Sequence, residues 1–470
     1  MTVIQNRFAA LPEEETDSWD TFKQEHKAAA EAVLGIRLSK RHEWISNSTR
    51  QLVEDKRAAR LAGNLAEYRE LNRRCKKSAR LDKQRWADEK AQAGEAALTR
   101  GSMHDAFAHF RQLRSACHRI SSPIINAAGC LVSDKVQKAA CWREYYEQLL
   151  SRPSTTPPVE LARSAVSTPE DTSIDCEPPT IAEVARAIRK LKAGKAPGIC
   201  GIPAELLKAG GYHTAEWLTK VFQNVWQTGQ MPSDWKKGII LPLYKGKGSR
   251  RECKSYRGIT LLSTPGKAFA LTLLARIKTK LLEVRRPEQS GFTPHRSTVD
   301  RIVTLNTLLQ TRREFNKPLW IAYVDLKSAF DSVDRESLWL LLRRHGIPDK
   351  IVELLKELFT DTCSCILTEG IRSEWFQVLN GVRQGCTVAP DLFLNPMDWI
   401  LNRTVEQSPL GVSIGREHFT DLDYADDVAL LAEMLQTLVA GLLVLQDEAA
   451  PLGLQINCTK RKFTRSGNHV

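Results

Sequence analysis

Tyr424-Ala425-Asp426-Asp427 sets two carboxylates side by side between apolar runs. Like charges this close repel, and in a water-poor site one of them shifts toward protonation unless a cation lies beside the pair. The flanks predict a geometry: residues 419–424 read as a short strand, 425–427 as a tight turn and 428–432 as the returning strand, so the acids stand on a hairpin tip. With a third carboxylate from elsewhere, such a pair can hold two divalent ions, one to activate a hydroxyl and one to clamp leaving phosphates. An Asp-Asp turn by itself is an ordinary solvated feature, and only context makes it more.

The third acid is supplied by Trp320-Ile-Ala-Tyr-Val-Asp325-Leu-Lys-Ser-Ala-Phe330-Asp331, where an apolar and β-branched run that reads as a buried strand ends on a carboxylate. An acid at the end of a buried strand is costly unless a metal or a basic partner meets it. Asp331 and Asp334 have an easier reading as helix-start residues before the apolar run 337–342. Between the acid segments, Gly381-Val-Arg383-Gln384-Gly385 forms a polar turn whose glycines allow close approach of backbone to a ligand; it feeds an apolar helix over 392–401.

In this order the segments Asp-X-X-X-Ala-Phe-Asp, Gly-X-X-Gln-Gly-X-X-X-X-Pro and Tyr-Ala-Asp-Asp resemble the palm of reverse transcriptases. The resemblance runs from about Thr180 to Phe463 and is to the non-LTR (LINE-like) retrotransposon polymerases. It is carried further by Lys192-Ala-Gly-Lys195-Ala-Pro197-Gly198, Ile202-Pro-Ala-Glu205-Leu-Leu-Lys208, Tyr244-Lys245-Gly-Lys247-Gly248, Tyr256-Arg257-Gly-Ile-Thr, Gln289-Ser-Gly291-Phe292, Arg296-Ser-Thr298 and Gly453-Leu454-Gln-Ile-Asn457-Cys-Thr-Lys460-Arg-Lys462. Group II intron maturases and retron polymerases share the acid triad but match the fingers segments less well.

The resemblance implies an α+β right-hand polymerase, with fingers over 180–318, palm over 319–470 and a thumb absent or truncated. It implies an RNA-directed DNA polymerase in which Asp325, Asp426 and Asp427 hold two magnesium ions, or manganese in their place. Phe330 would lie under the incoming sugar and exclude a 2′-hydroxyl, and Arg383 and Gln384 would line the nucleotide and template side. Lys245 and Arg257 would meet the triphosphate, with Lys247 an equal neighbour of Lys245, and Lys460 or Lys462 would protonate the leaving pyrophosphate. The partners so implied are dNTP, an RNA template, a DNA primer and the element's own RNA.

The sequence also departs from the family's pattern. Ile199-Cys200 stand where Pro-Asp is usual, Gly258 replaces a proline and is expected to loosen a turn, His295 stands in a glycine position and is expected to need a different backbone angle, and Ala389 replaces a serine.

A chain of 470 residues can bury a large core in two or three domains. Its net charge of +13 and pI near 9.2 imply a polyanionic partner. Eleven cysteines without a Cys-X-X-Cys framework or zinc-knuckle spacing read as the reduced thiols of a nuclear or cytoplasmic protein. No run is long enough to cross a membrane and no signal-peptide profile opens the chain.

Residues 1–121 read as a charged helical region with helices over 28–33, 57–67 and 71–98. Its basic clusters Arg73-Arg74-Cys-Lys76-Lys77 and Lys83-Gln-Arg85-Trp86 could grip a nucleic-acid backbone or simply be solvated. Residues 122–151 carry an amphipathic helix, and 152–179, rich in Ser, Thr and Pro, read as a flexible linker. The expected whole is a fragment of a longer element protein, its alternative a catalytically weak or inactive nucleic-acid-binding derivative of a polymerase.

Overall fold

Two sheets position the residues singled out above, in a computed structural model that describes residues 18–34, 44–62, 64–113, 122–152, 157–457 and 462–466. In the first sheet Lys237–Tyr244 (β1) pairs antiparallel with Tyr256–Leu261 (β2). The second is centred on Leu319–Val324 (β3). Cys363–Thr368 (β4), the strand expected around Cys363-Ser364-Cys365, joins the first sheet parallel to β1. Thus a strand from beyond residue 319 completes the sheet begun before it.

Asp421–Tyr424 (β5), Asp427–Ala432 (β6) and Lys462–Ser466 (β7) complete the second sheet in the order β5-β6-β3-β7, every neighbour antiparallel. Strand alternation gives it two apolar faces. Ala322, Val324, Val428 and Leu430 enter the main core, while Leu319, Ile321, Leu422, Ala429 and Leu431 form a second cluster with Leu308. Burial on both faces pins the register, since a one-residue slip would exchange the two sets. The strand expected over 419–424 is divided: Phe419 ends the separate strand Glu417–Phe419, and β5 starts at Asp421.

The chain separates into two compact units, residues 34–122 and the remainder. The helix Trp19–Leu34 (α1) therefore does not belong with the charged helical region expected to span 1–121. Its aromatic residues decide this: Trp19 meets Trp235 at 5.4 Å between ring centroids and Phe22 meets Trp217 at 5.3 Å, all within the main core.

Unit 34–122 holds Asn47–Leu61 (α2), Leu65–Thr99 (α3) and Met103–Leu113 (α4). The helix expected over 57–67 is broken, because Asn64 caps a new start by accepting from the Glu67 amide. Buried Asp82 on α3 accepts from the Thr49 hydroxyl, the Ser46 hydroxyl and the Ser46 amide at 2.7–2.8 Å, bonds that hold its carboxyl below the ordinary value. The basic clusters lie on α3, with Arg73, Arg74, Lys76, Lys77, Lys83 and Arg85 all exposed.

Lys135–Leu150 (α5) follows the start signal at Asp134, whose side chain accepts from the Val136 and Gln137 amides. The stretch read as a flexible linker contains the helix Val159–Ser167 (α6), with Leu161 and Ile174 in the core. Its few apolar residues find partners that local composition does not reveal. Thr298–Glu314 (α7), Arg335–Arg344 (α8), Ala389–Gln407 (α9) and Leu435–Ala449 (α10) flank the sheets. Asp334 caps α8 by accepting from the Ser337 amide at 2.8 Å, as its helix-start reading expects. Among the described residues every cysteine is free, and no helix is long and apolar enough to cross a membrane.

Candidate active site

β3 ends at Val324, and Asp325 follows where the chain leaves the sheet. It is tied at both ends to Asn457: its carbonyl accepts from the Asn457 amide at 2.8 Å and its Oδ2 from the Asn457 side chain at 2.9 Å. β5 and β6 close through Ala425 and Asp426, with Tyr424 paired to Asp427. Ala425 takes φ of +59°, a left-handed angle unusual for a residue with a Cβ but needed in a two-residue hairpin turn.

That turn is braced by Gln289, whose Oε1 accepts from the amides of Ala425 at 2.8 Å and Gly291 at 2.7 Å. A Cβ on Gly291 would run into the Ala425 backbone, so this approach requires glycine. Beneath it, Arg286 binds Asp421 and Asp423 of β5.

Asp325 and Asp426 line one cavity of about 540 Å³ together with Lys245, Arg257, Phe330 and Gln384. Lys247 lines it too, so the choice between the two lysines stays open. Lys245, Lys247 and Arg257 are exposed, and Lys245 Nζ donates to the Lys254 carbonyl at 2.9 Å. Phe330 stacks on Phe393 with centroids 4.2 Å apart and an 18° tilt, which fixes its ring beneath the opening.

Asp427 is placed differently. It is exposed and lines a separate groove with Arg301, Tyr323 and Tyr424. Among the described residues no three His, Cys, Asp or Glu side chains are gathered in a metal-holding group. The Asp426 carboxyl is nevertheless pushed above the ordinary value, first by burial, then by the charges of Asp427 and Asp325, with Arg257 opposing. That mutual repulsion, in hard oxygen donors sharing a cavity, fits a divalent cation.

Arg383 does not reach this cavity, contrary to its expected place beside the nucleotide. It is buried, donates to the Trp235 and Leu358 carbonyls at 2.9 Å each, and lies over the Phe359 ring. Gln384 turns the other way. Its Nε2 donates to both carboxyl oxygens of Asp331 at 2.9 Å. Asp331, read as a helix-start residue, is thus a cavity group, and burial pushes its carboxyl up to about 6 against the Gln384 bond. Lys460 lies outside the described residues, and Lys462 is placed only by its backbone pairing with Tyr323.

Two of the departures from the family's pattern also resolve. Gly258 lies within β2, not at a turn, and a Cβ there would come within 2.7 Å of the Tyr146 ring. His295 keeps a glycine-like angle, φ of +61°. Tyr145 and Tyr146, which no motif singled out, complete the cavity wall from α5. Their only sequence signal is the apolar face of that helix.

Residues 243–469 match the family described as reverse transcriptase (RNA-dependent DNA polymerase). The chain is similar to the transposon TX1 uncharacterized 149 kDa protein of Xenopus laevis, 27% identical over 62% of this chain and 22% of that protein. It is 30% identical to the Pol polyprotein of the type-2 retrotransposable element R2DM of Drosophila melanogaster, over 37% of this chain and 16% of that protein. This chain carries a non-LTR reverse transcriptase domain. The RNA-directed DNA polymerase from mobile element jockey of Drosophila melanogaster aligns over more of the chain, 24% identical over 68% of it and 35% of that protein. The chain therefore spans only about a third or less of the length of these relatives. Within the reverse transcriptase domain lie Lys245, Arg257, Asp325, Phe330, Gln384, Asp426 and Asp427, whereas Tyr145 and Tyr146 stand outside the matched residues.

Proposed function

We propose that the chain is an RNA-directed DNA polymerase of a non-LTR retrotransposon, extending a DNA primer on an RNA template from dNTP. The convergence of Asp325 and Asp426 on one cavity with Phe330, Gln384 and two or more exposed cations carries this reading. Two magnesium ions, with manganese as substitute, would be held by Asp325 and Asp426, with Asp427 joining from the hairpin; they would supply charge neutralisation at the primer 3′-hydroxyl and the leaving phosphates. The protein's own work is orientation. Asn457 fixes the Asp325 carboxylate, and Gln289 fixes the turn that presents Asp426.

Lys245 or Lys247, with Arg257, offsets charge on the triphosphate, and donors of this kind act where pyrophosphate gathers charge. Phe330, locked by its stack on Phe393, bars a 2′-hydroxyl. Lys460 or Lys462 is the proposed proton donor to pyrophosphate. The net charge of +13 suits template and primer backbones and the element's RNA, and the setting proposed is nuclear or cytoplasmic.

Primer extension on an RNA template tests the proposal. Magnesium-dependent dNTP incorporation by the wild-type chain, lost in Asp426→Asn, is expected. Equal incorporation by both, or none by the wild type, would overturn it.

A further inference from the structure

One side of α3 packs and the other carries charge. Leu71, Cys75 and Asp82 are buried, and Ser78 and Asp82 bond to Thr49 near the start of α2, which fixes the side turned to that helix. At 3.6 residues per turn, Arg69, Arg73, Lys76, Lys77, Arg80 and Lys83 fall on the opposite side, within about a third of the circumference. All six are exposed. They extend over about 21 Å of helix, more than one cation per turn. The basic clusters read from the sequence are therefore sorted anew: Arg69 and Arg80 join the face, while Arg74 and Arg85 stand beside it.

No acid lies within this face. Asp82 is turned to α2, and Asp88, Glu89 and Glu95 come only after Lys83. At the margin Glu70 meets Arg73 at 3.5 Å, and that is the only ion pair these six cations make among the described residues. A solvated helix face ordinarily mixes signs, because unlike charges three or four residues apart attract and like charges repel. Here Arg69 with Arg73, Arg73 with Lys77, Lys76 with Arg80 and Arg80 with Lys83 are all like pairs at that spacing. A bound polyanion relieves their repulsion.

We propose that this face of α3 binds the phosphate backbone of single-stranded RNA. The cations follow a straight line at the pitch of the helix. A flexible single strand can straighten along such a line, whereas the strands of a duplex wind away from it. The aromatic residues of α3, Tyr68 and Trp86, are half-buried on the other side, so the grip is on phosphates and carries no base preference. The choice of RNA rests on the polymerase reading above, in which the uncopied template is the single strand and the primer is paired to it.

The test measures equilibrium binding of the full chain to a labelled RNA oligonucleotide, single-stranded or annealed to its complement, over a series of salt concentrations and without dNTP. Arg73→Gln with Arg80→Gln removes two charges from the face, and Arg74→Gln with Arg85→Gln removes two beside it. These side chains are exposed and glutamine is a comparable helix former, so folding is retained, as circular dichroism checks. Lys76→Gln with Lys77→Gln is a second pair on the face. On the single strand, each face pair is expected to make the slope of log affinity against log salt shallower by about 1.4, two phosphate contacts at about 0.7 each. The pair beside the face should change the slope by less than half as much, and Arg73→Lys with Arg80→Lys should keep it.

Equal changes for the pairs on and beside the face would reduce the effect to net charge and overturn the proposal. So would an unchanged slope in the face pairs, or a larger change on the duplex than on the single strand. Binding is read without turnover. A chain that binds as expected but incorporates no dNTP would therefore sink the polymerase reading and leave the RNA face standing.

Discussion

Arg286 grips Asp421 with both terminal guanidinium nitrogens, Nη1 to Oδ2 at 2.7 Å and Nη2 to Oδ1 at 2.8 Å, and reaches Asp423 from Nη1 at 3.0 Å. Both acids are fully buried on β5, the strand that leads into the Asp426 turn. Burial alone would raise the Asp421 carboxyl, but the bonds and charge of Arg286 outweigh it and hold that group below its ordinary value. Asp423 is pushed the other way, by burial and by the charge of Asp421. Thus one cation stands under two acids at the root of the hairpin that carries Asp426.

Removing that cation leaves buried carboxylates unpaired. Arg286→Met is expected to destabilise the chain by about 3–5 kcal/mol in urea unfolding. A loss below about 1 kcal/mol would show that the pair contributes little to holding the hairpin.

Asp398 on α9 lies against the same cluster, and burial pushes its carboxyl up to about 7 against the charges of Arg286 and Arg285. An acid raised in this way keeps its proton in the fold at pH values where the unfolded chain has lost it. Its contribution to stability is therefore full below about pH 4 and declines as pH rises through about 7. Asp398→Asn removes that decline, so the difference in stability between variant and wild type should shift in the variant's favour by a few kcal/mol (order of magnitude) between pH 4 and 8. Parallel stability curves for the two proteins would refute the assignment.

Adjacent acids on the hairpin should not be equivalent. Asp426 shares the cavity with Asp325, while Asp427 is exposed beside another groove. Single-turnover incorporation is expected to fall by about a thousandfold or more in Asp325→Asn and Asp426→Asn, but by about tenfold or less in Asp427→Asn. Equal losses at 426 and 427 would mean that the hairpin rearranges when nucleotide and metal bind.

Gly258 and Tyr146 should behave as a matched pair. Gly258→Ala presses a methyl group onto the ring and is expected to cost about 1–3 kcal/mol, a cost that Tyr146→Ala in the same chain relieves. Thermal or urea unfolding of the two singles and the double measures the coupling; additive effects would deny the contact.

Local chemistry made part of the site legible before any fold was known. Asp325 stands at the end of an apolar alternating run, and the Tyr-Ala-Asp-Asp box sits between two others, so strand end and hairpin tip follow from period-two burial. Asp334 is a cap because its partner amide is three residues away. Asp331 does stand in the first turn of the short helix Ala329–Ser332, as its helix-start reading expects, yet its side-chain partner is Gln384, 53 residues on. Likewise nothing in a chain segment tells which of Arg383 and Gln384 faces the cavity.

The identity, order and chemistry of the motifs could be read from residue types and short spacings, because local chemistry is written there. Packing set which side of each element faces the cavity: Asp426 inward and Asp427 outward, Gln384 to Asp331 and Arg383 to buried carbonyls, Tyr146 across β2 at Gly258. Those choices depend on partners distant in the chain. A side chain's direction follows the backbone, but its surroundings are set by packing between elements that no local pattern couples.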